Sequence, residues 1–204
     1  MHNDKLAKYW ACSGKMKTGD LLQWREDVWW MSYIWFWRLV TQSKVNHSSM
    51  VLRLQQYEEF EKRRFTTESR KHGTVLNRLS SRLRQYDGEV WWYPLKDDWD
   101  PHRQKIGEEM LERIGISYNI AGVVKLTLRR LFGAKCRKVF NNRTVLKGIV
   151  GWMNRVDKKN EVFCSEYCYW VYGSTGYLTA GLSDLPLPDD MLKLGIFKEG
   201  VKIL

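Results

Sequence analysis

The sequence predicts an α+β fold in which an antiparallel β-meander or barrel packs against helices. Short runs rich in β-branched and aromatic residues fill the first half of the chain, and runs with apolar residues three or four positions apart fill the second half. The 204 residues contain no internal repeat and no low-complexity segment. We therefore expect one domain over residues 1–204 with its core at about 18–198. An apolar fraction of 44% excludes a wholly disordered or collagen-like chain.

The predicted strands lie in the first half of the chain. A turn signal at residues 18–20 precedes a short apolar run at 21–24, which predicts the first strand. Apolar and other residues alternate over 49–54, and a second extended run follows at 64–68, so these two segments predict an antiparallel pair. Residues 89–95 predict a further strand, which ends near a proline. A β-meander is the simplest arrangement of these segments.

The predicted helices follow in the second half. Residues 101–114, 120–132 and 162–172 each carry apolar side chains at helical spacing, and each is followed directly by a glycine. Residues 28–40 are too aromatic for an assignment by periodicity and fit either a buried helix or an amphipathic lid.

Positive charge is concentrated in one segment. The chain has 34 Lys and Arg residues against 23 Asp and Glu, a net charge of +11, which suits nucleic acid, an anionic membrane surface or an acidic substrate. Residues 125–159 hold eleven basic residues and one acid. This segment is either a solvated basic face or a surface for an anionic substrate beside Cys164. In the second interpretation Lys125 and Arg129 contact the substrate.

The N-terminus has no apolar run of signal-peptide length, and the longest uncharged aromatic stretch, residues 28–37, is far shorter than the roughly 20 residues that span a bilayer. We expect neither a signal peptide nor a transmembrane helix, and a cytoplasmic or virion- or phage-associated protein. The four cysteines, too sparse for a disulfide scaffold, are expected to be reduced; they are Cys12, Cys136, Cys164 and Cys168. We expect no metal and no cofactor, because Cys164 and Cys168 are accompanied by no CxxC or HxxxH pair that would complete a zinc site.

Cys164 stands at the start of a predicted helix, where the unpaired N–H groups and the helix dipole favour a thiolate. The alternative is a small buried apolar residue, since free cysteines are often buried. A nucleophilic cysteine needs a base, and His47 is the best placed of the histidines because it stands at the beginning of a predicted strand.

Glu68 is the candidate for a third member of the site. A register that places Glu68 opposite His47 puts the hairpin turn between Tyr57 and Glu58, in the middle of a polar stretch. Glu68 would then hold the imidazole tautomer and stabilise its protonated form. One β-bulge would move Glu68 to the other face.

These residues lie in motifs that resemble a known family. Residues 18–22 (TGDLL), 46–51 (NHSSMV), 67–69 (TES) and 163–167 (FCSEY) resemble, in this order, the circularly permuted branch of the NlpC-type papain-like cysteine hydrolases, the YiiX-like group. Residues 115–119 and 187–192 are similar to two further elements of that group. The sequence departs from the family pattern at Asn46, Asn119, Tyr167 and Cys168, which leaves the nucleophile and the base in place.

The resemblance implies a permuted papain-like fold and a thiol hydrolase or acyltransferase that acts on an amide or an ester. In that scheme His47 takes the proton of Cys164, the thiolate attacks a carbonyl carbon, and the acyl-enzyme passes its acyl group to water or another acceptor. The Cys164 backbone N–H would stabilise the oxyanion. Tyr118 would contact the substrate, a cell-wall peptide or a lipid, or it is a core tyrosine.

Five of the eleven tryptophans lie between Trp24 and Trp37, just before His47. This cluster fits three arrangements. It forms an apolar wall over the cleft, with Trp24 in contact with the substrate, or it forms an edge that inserts into a membrane interface, or it is part of the core. The rival to an enzyme is a basic membrane- or nucleic-acid-binding module in which Cys164 is structural. Among charged partners, an anionic lipid or wall polymer ranks ahead of nucleic acid.

Overall fold

A computed structural model describes residues 5–26, 45–54, 63–119, 122–123, 161–178 and 186–204. The undetermined segment 28–40 lies outside these residues, as do most of the predicted helix 120–132 and nearly all of the basic segment 125–159, including Lys125 and Arg129.

The described chain is a mixed α+β structure with an antiparallel sheet packed against helices, as predicted. The strands are β1 (Leu21–Glu26), β2 (His47–Leu52), β3 (Phe65–Arg70), β4 (Gly73–Arg78), β5 (Gly88–Tyr93), β6 (Ser117–Tyr118), β7 (Glu161–Val162) and β8 (Val201–Lys202). The helices are α1 (Ala7–Ser13), α2 (Leu79–Arg84), α3 (Arg103–Glu112) and α4 (Cys164–Gly173), with 3₁₀ turns at Asp97–His102 and Pro188–Leu194.

Six strands form the main sheet in the order β4-β3-β2-β1-β5-β8. The first four strands follow one another as a meander, whereas β5 pairs with the other side of β1. All four strands that the sequence predicts are present in this sheet. Strand β4 and helix α2 were not predicted.

The register between β2 and β3 corrects the predicted one. A register with Glu68 opposite His47 pairs Met50 with Phe65, but the structure pairs Met50 with Thr67. The shift is two residues, and side chains alternate between faces with a period of two. Glu68 therefore stays on the same face of the sheet as His47. The predicted contact between these two side chains is present although the predicted register is wrong.

The unpredicted hairpin of β3 and β4 depends on Gly73. Its φ is +106°, a backbone conformation that side chains disfavour. A Cβ atom there would also lie 2.8 Å from the Ile116 carbonyl oxygen, too close for any carbon atom. Only glycine can make this turn so near residues 115–116, and the turn brings β4 beside Glu68.

Both faces of the sheet are covered, because consecutive residues of its central strands point to opposite sides and are all buried. Leu21 and Met50 face the core that contains α4, whereas Leu22 and Val51 face the core under α1 and α2. Polar side chains of β2 and β3 are buried together with the apolar ones, namely Ser48, Ser49, Thr66, Thr67 and Ser69.

Asp20 fixes the beginning of β1. Its carboxylate accepts hydrogen bonds from the backbone N–H groups of Lys17 and Leu95 at 2.9 and 3.1 Å, and from the Trp92 indole at 2.8 Å. Arg103 of α3 adds an ion pair at 2.9 Å. The Gly-Asp motif therefore joins β1, β5 and α3.

Helix α4 carries Cys164 as its first residue and lies against β2 and β3. The Phe163 N–H donates to the Glu166 carboxylate at 3.2 Å, which closes the beginning of the helix. At the other end the Tyr172 hydroxyl donates to the Gly19 carbonyl at 2.7 Å. The predicted helix 162–172 is thus confirmed with a start two residues later. Among the helices of the described ranges, none has the length and apolarity needed to cross a bilayer.

Candidate active site

Cys164, His47 and Glu68 come together although they lie on three different elements. Cys164 begins α4, His47 begins β2 and Glu68 lies within β3. His47 Nε2 lies 2.7 Å from Glu68 Oε2, and the imidazole and the Cys164 thiol lie near enough for each to shift the pKa of the other. The imidazole of His47 thus interacts with both the sulfur and the carboxylate.

The Glu68 carboxylate is completely buried and ionised. Burial alone would raise its pKa, but the hydrogen bond and charge of His47, helped by Arg82 and Arg70, lower that pKa to about 2. Glu68 is therefore a permanent negative charge beneath the imidazole at any physiological pH.

The His47 ring is held as an imidazolium. Burial favours the neutral ring, but hydrogen bonds to Cys164 and Glu68 favour the cation more strongly and raise the pKa of His47 to about 9. Its side chain keeps 19% of its surface exposed, so the ring lies at the edge of the core.

The Cys164 thiol has the opposite shift. Burial would raise its pKa, but the hydrogen bond and charge of His47 and contacts with the backbone of Ser48 and Ser165 hold that pKa below the usual range. The sulfur and the imidazole therefore favour a thiolate–imidazolium pair. Cys168, one turn further along α4, shows the contrast: burial in the apolar core raises its pKa well above the ordinary value.

Arg82 and Asn77 complete the surroundings of Glu68. Arg82 Nε lies 3.0 Å from Glu68 Oε1, and the Asn77 side-chain amide donates to the same oxygen at 3.3 Å. The Arg82 guanidinium also lies over the rings of Trp24 and Tyr86, at 4.8 and 5.2 Å from their centres. Sequence reasoning missed both residues, because the elements that carry them, α2 and β4, were not predicted.

Trp24 does not line a cleft. Its side chain is fully buried, its indole N–H donates to Ser49 Oγ at 2.7 Å, and its ring packs edge-on against Tyr86. The prediction that Trp24 contacts substrate is therefore wrong, because its place on β1 directs it into the core beneath α1 and α2. Its ring centre lies 6.3 Å from that of His47, so Trp24 supports the site from within.

Tyr118 lies close to the sulfur. Strand β6 runs parallel to β7, which pairs Tyr118 with Val162, two residues before Cys164. The side chain packs against Phe163 and Leu187. Burial, followed by the charges of Cys164 and Glu166, raises the pKa of Tyr118, so its hydroxyl stays protonated. Tyr118 is thus a neutral hydrogen-bond donor near the thiolate.

The other histidines of the described residues lie elsewhere. His102 stacks on Tyr177 with ring centres 4.4 Å apart, and His72 is exposed in the turn between β3 and β4. Within the described ranges, no three His, Cys, Asp or Glu side chains are grouped so that they could hold a metal ion.

Comparison with known proteins shows similarity of fold. No family model matches the sequence, and no curated protein matches it. The structure is similar to the crystal structure of YiiX from Escherichia coli O157:H7, which is described as a metalloprotein, with a TM-score of 0.50 and 15% sequence identity. The match covers 78% of this chain and 66% of that one, so this chain spans just under two thirds of YiiX. This likeness supports a YiiX-like fold.

Proposed function

We propose that the protein is a thiol hydrolase of an amide or ester bond, built on a circularly permuted papain-like fold, with Cys164 as nucleophile, His47 as acid and base, and Glu68 as the residue that orients His47. The observation that carries this proposal is that Cys164, His47 and Glu68 come together from three elements, with His47 paired to Glu68 at 2.7 Å and coupled electrostatically to Cys164. The charges of the three residues favour a thiolate beside an imidazolium, which is the reactive form of such a pair.

The geometry suits the following reaction. The Cys164 thiolate attacks the carbonyl carbon of the substrate, and the negative charge that develops on the oxygen is stabilised by the Cys164 backbone N–H at the N-terminus of α4. The His47 imidazolium gives its proton to the leaving nitrogen or oxygen as the carbon–leaving-group bond breaks, which leaves a thioester on Cys164. Neutral His47 then takes a proton from water, and the resulting hydroxide attacks the thioester. The carbon–sulfur bond breaks, the acid is released, and the sulfur departs as a thiolate beside the imidazolium, which restores the starting pair.

The permuted arrangement is supported by the order of the elements. His47 lies on the second strand of the sheet and Cys164 begins a late helix, so the base precedes the nucleophile, the reverse of the order in papain. The YiiX-like fold and the motifs around both residues favour the same arrangement.

The proposed substrate is a peptide or a lipid with negative charge. Tyr118 would contact it near the sulfur, where its protonated hydroxyl can donate a hydrogen bond. Lys125 and Arg129 belong to the basic segment that precedes Cys164 in the chain, and that segment would attract an anionic group or a membrane surface.

Selective alkylation tests the activated thiol. The full-length protein is treated with iodoacetamide at pH 6.5, and the label on each cysteine is followed by peptide mass spectrometry. Cys164 should react first, and His47→Ala should slow its labelling several-fold without changing Cys12, whose pKa is raised by burial and which serves as the internal reference. Equal labelling of all four cysteines would refute the proposal.

Trapping of the acyl-enzyme tests the reaction. Small p-nitrophenyl esters and amino-acid p-nitroanilides should each be offered to the wild type, to Cys164→Ala and to Cys168→Ala, which removes the neighbouring thiol on the same helix. An acyl mass on Cys164 that is retained in Cys168→Ala supports the hydrolase. If no variant or substrate gives turnover, while salt-sensitive retention on anionic liposomes or DNA survives Cys164→Ser, the chain is a binding module.

A further inference from the structure

The two oxygens of Glu68 are divided between two cations on different elements. Oε2 lies 2.7 Å from Nε2 of His47 on β2, and Oε1 lies 3.0 Å from Nε of Arg82 on α2. Both contacts are at hydrogen-bond distance, and the carboxylate has no exposed surface. Arg82 is itself 86% buried by its contacts, since only 14% of its side chain is exposed.

This division has an electrostatic consequence for the thiol. Cys164 and Glu68 contribute two negative charges to one buried cluster, and His47 and Arg82 contribute two positive charges. With Arg82 in place each anion has one cation, and the cluster is neutral. Without Arg82 a single imidazolium would face two anions, and a buried cluster with net negative charge takes up a proton.

We propose that Arg82 is a positioning residue of the active site, which holds Oε1 of Glu68 and balances its charge so that His47 is left to balance the Cys164 thiolate. This inference rests on the proposed thiol chemistry of Cys164. Arg82 makes no contact with the reacting atoms in this scheme and acts through Glu68 and His47.

The other groups around the cluster do not supply this balance. Asn77 on β4 gives Glu68 a neutral donor, and Arg70, which acts on the Glu68 charge from the same strand, is exposed at the strand end. Around Cys164, the Tyr118 phenol and Cys168 are neutral, and Glu166 on α4 is a second carboxylate, which accepts from the Phe163 N–H. Among the residues that the structure describes, Arg82 is the permanent cation that contacts Glu68 directly.

The test is the pH dependence of Cys164 alkylation by iodoacetamide, followed by peptide mass spectrometry between pH 4 and 10. Arg82→Gln and Arg82→Met both remove the charge, and Met keeps an unbranched apolar side chain at this position. Each should move the midpoint for Cys164 upward by about one pH unit, so that alkylation below the wild-type midpoint falls about tenfold while alkylation at pH 10 is unchanged.

Two variants serve as controls. Arg82→Lys keeps the charge and should keep the wild-type midpoint. Arg84→Gln removes an exposed arginine from the same helix, with the same loss of net charge, and should also keep it.

The inference is overturned if Cys164 has the expected low midpoint in the wild type and Arg82→Gln and Arg82→Met follow the same curve. It is equally overturned if Arg82→Lys, which keeps the charge, moves the midpoint upward by about one pH unit, and this measurement decides the matter should the two neutral variants fail to fold. Failure of the proposed function looks different: the wild-type Cys164 would then titrate together with Cys12 and would not respond to His47→Ala.

Discussion

Among the described residues, two buried carboxylates are each paired with an arginine, and only one of them belongs to the candidate active site. Asp20 Oδ1 lies 2.9 Å from Nη1 of Arg103, and Glu68 Oε1 lies 3.0 Å from Nε of Arg82. Both carboxylates are almost without exposed surface. Burial and ion pairing alone therefore do not distinguish a structural site from a reactive one.

The difference lies in the remaining partners. Asp20 is bonded to the backbone N–H groups of Lys17 and Leu95 and to the Trp92 indole N–H, none of which titrates near neutral pH. The second oxygen of Glu68 is hydrogen-bonded to His47. The protonation state of His47 can change, and this residue interacts with the Cys164 thiol. A carboxylate surrounded by permanent donors fixes structure, whereas one that faces an imidazole can control a proton.

Helix α4 joins the two regions. Its first residue, Cys164, belongs to the Glu68 cluster, and near its last turn Tyr172 donates to Gly19 beside Asp20. The rigid Asp20 cluster thus anchors the far end of the helix whose near end presents the sulfur.

The largest expected effect is on catalytic activity, which should depend on the cluster around Glu68 and not on the cluster around Asp20. His47→Ala should lower kcat/KM for an ester substrate by about 10²- to 10⁴-fold, because it removes the proposed general acid and base. The Asp20 cluster stays intact, so the circular dichroism spectrum should be retained. His102→Ala, which changes a histidine stacked on Tyr177, is the matched control and should keep the wild-type rate. Unchanged hydrolysis in His47→Ala would remove the distinction between the two clusters.

A second prediction separates them by stability. Asp20→Ala should lower the free energy of unfolding in urea by about 3–5 kcal/mol, because it breaks a buried ion pair. Alkylation of Cys164 in the folded fraction should be unchanged. Asp97→Ala is the control, since Asp97 is 77% exposed in its pair with Lys198, and its cost should be below about 1 kcal/mol. A folded Asp20→Ala that has lost Cys164 reactivity would show that the two clusters are one unit.

The third prediction concerns the loss of folding stability at low pH. The folded pKa of Glu68, about 2, lies below its ordinary value of 4.5, so the stability that this group contributes is fully present above pH 4.5 and is lost as the pH falls through about 2. As the pH falls between these values, the free energy of unfolding should decrease less in Glu68→Gln than in the wild type, by up to about 3 kcal/mol. Urea titrations at pH 5 and pH 2.5 measure it, with the exposed Glu108→Gln as control. Parallel curves for the wild type and Glu68→Gln would contradict the ionised state of Glu68.

The smallest effect tests the link along α4. Tyr172→Phe removes the hydroxyl that donates to Gly19 and should cost about 1 kcal/mol of unfolding free energy, without changing Cys164 alkylation. Tyr177→Phe, at a tyrosine that is 42% exposed, should change the stability by less than about 0.5 kcal/mol. If Tyr172→Phe alters the alkylation rate more than the stability, the anchor also sets the position of the sulfur.

Sequence reasoning reached the contact between His47 and Glu68 through a register that was wrong by two residues. The result survived because a sheet repeats its faces every two residues, so an even error keeps every side chain on its face. An error of one residue would have placed Glu68 on the opposite face. Patterning in a strand therefore predicts which residues share a face more reliably than it predicts which are directly opposite.

Trp24 shows where patterning fails. The central strands are buried on both faces, so β1 and β2 carry no polar side that marks the direction of solvent. An aromatic residue next to a candidate histidine can then equally line a cleft or fill the core. Only the packing of α1 and α2 over that face decides for the core.

By itself, the sequence determined the α+β class, four strands of the main sheet, the helix that begins near Cys164, and the choice of Cys164 and His47 as candidate nucleophile and base, because these depend on local propensity and on the chemistry of single side chains. The tertiary structure alone decided the place of Trp24, the β3–β4 hairpin and the contact of Arg82 with Glu68. Arg82 lies on a six-residue helix that has little periodicity of its own, and its partner lies on another element. Such a contact comes from long-range packing, on which the local pattern of residues carries no information.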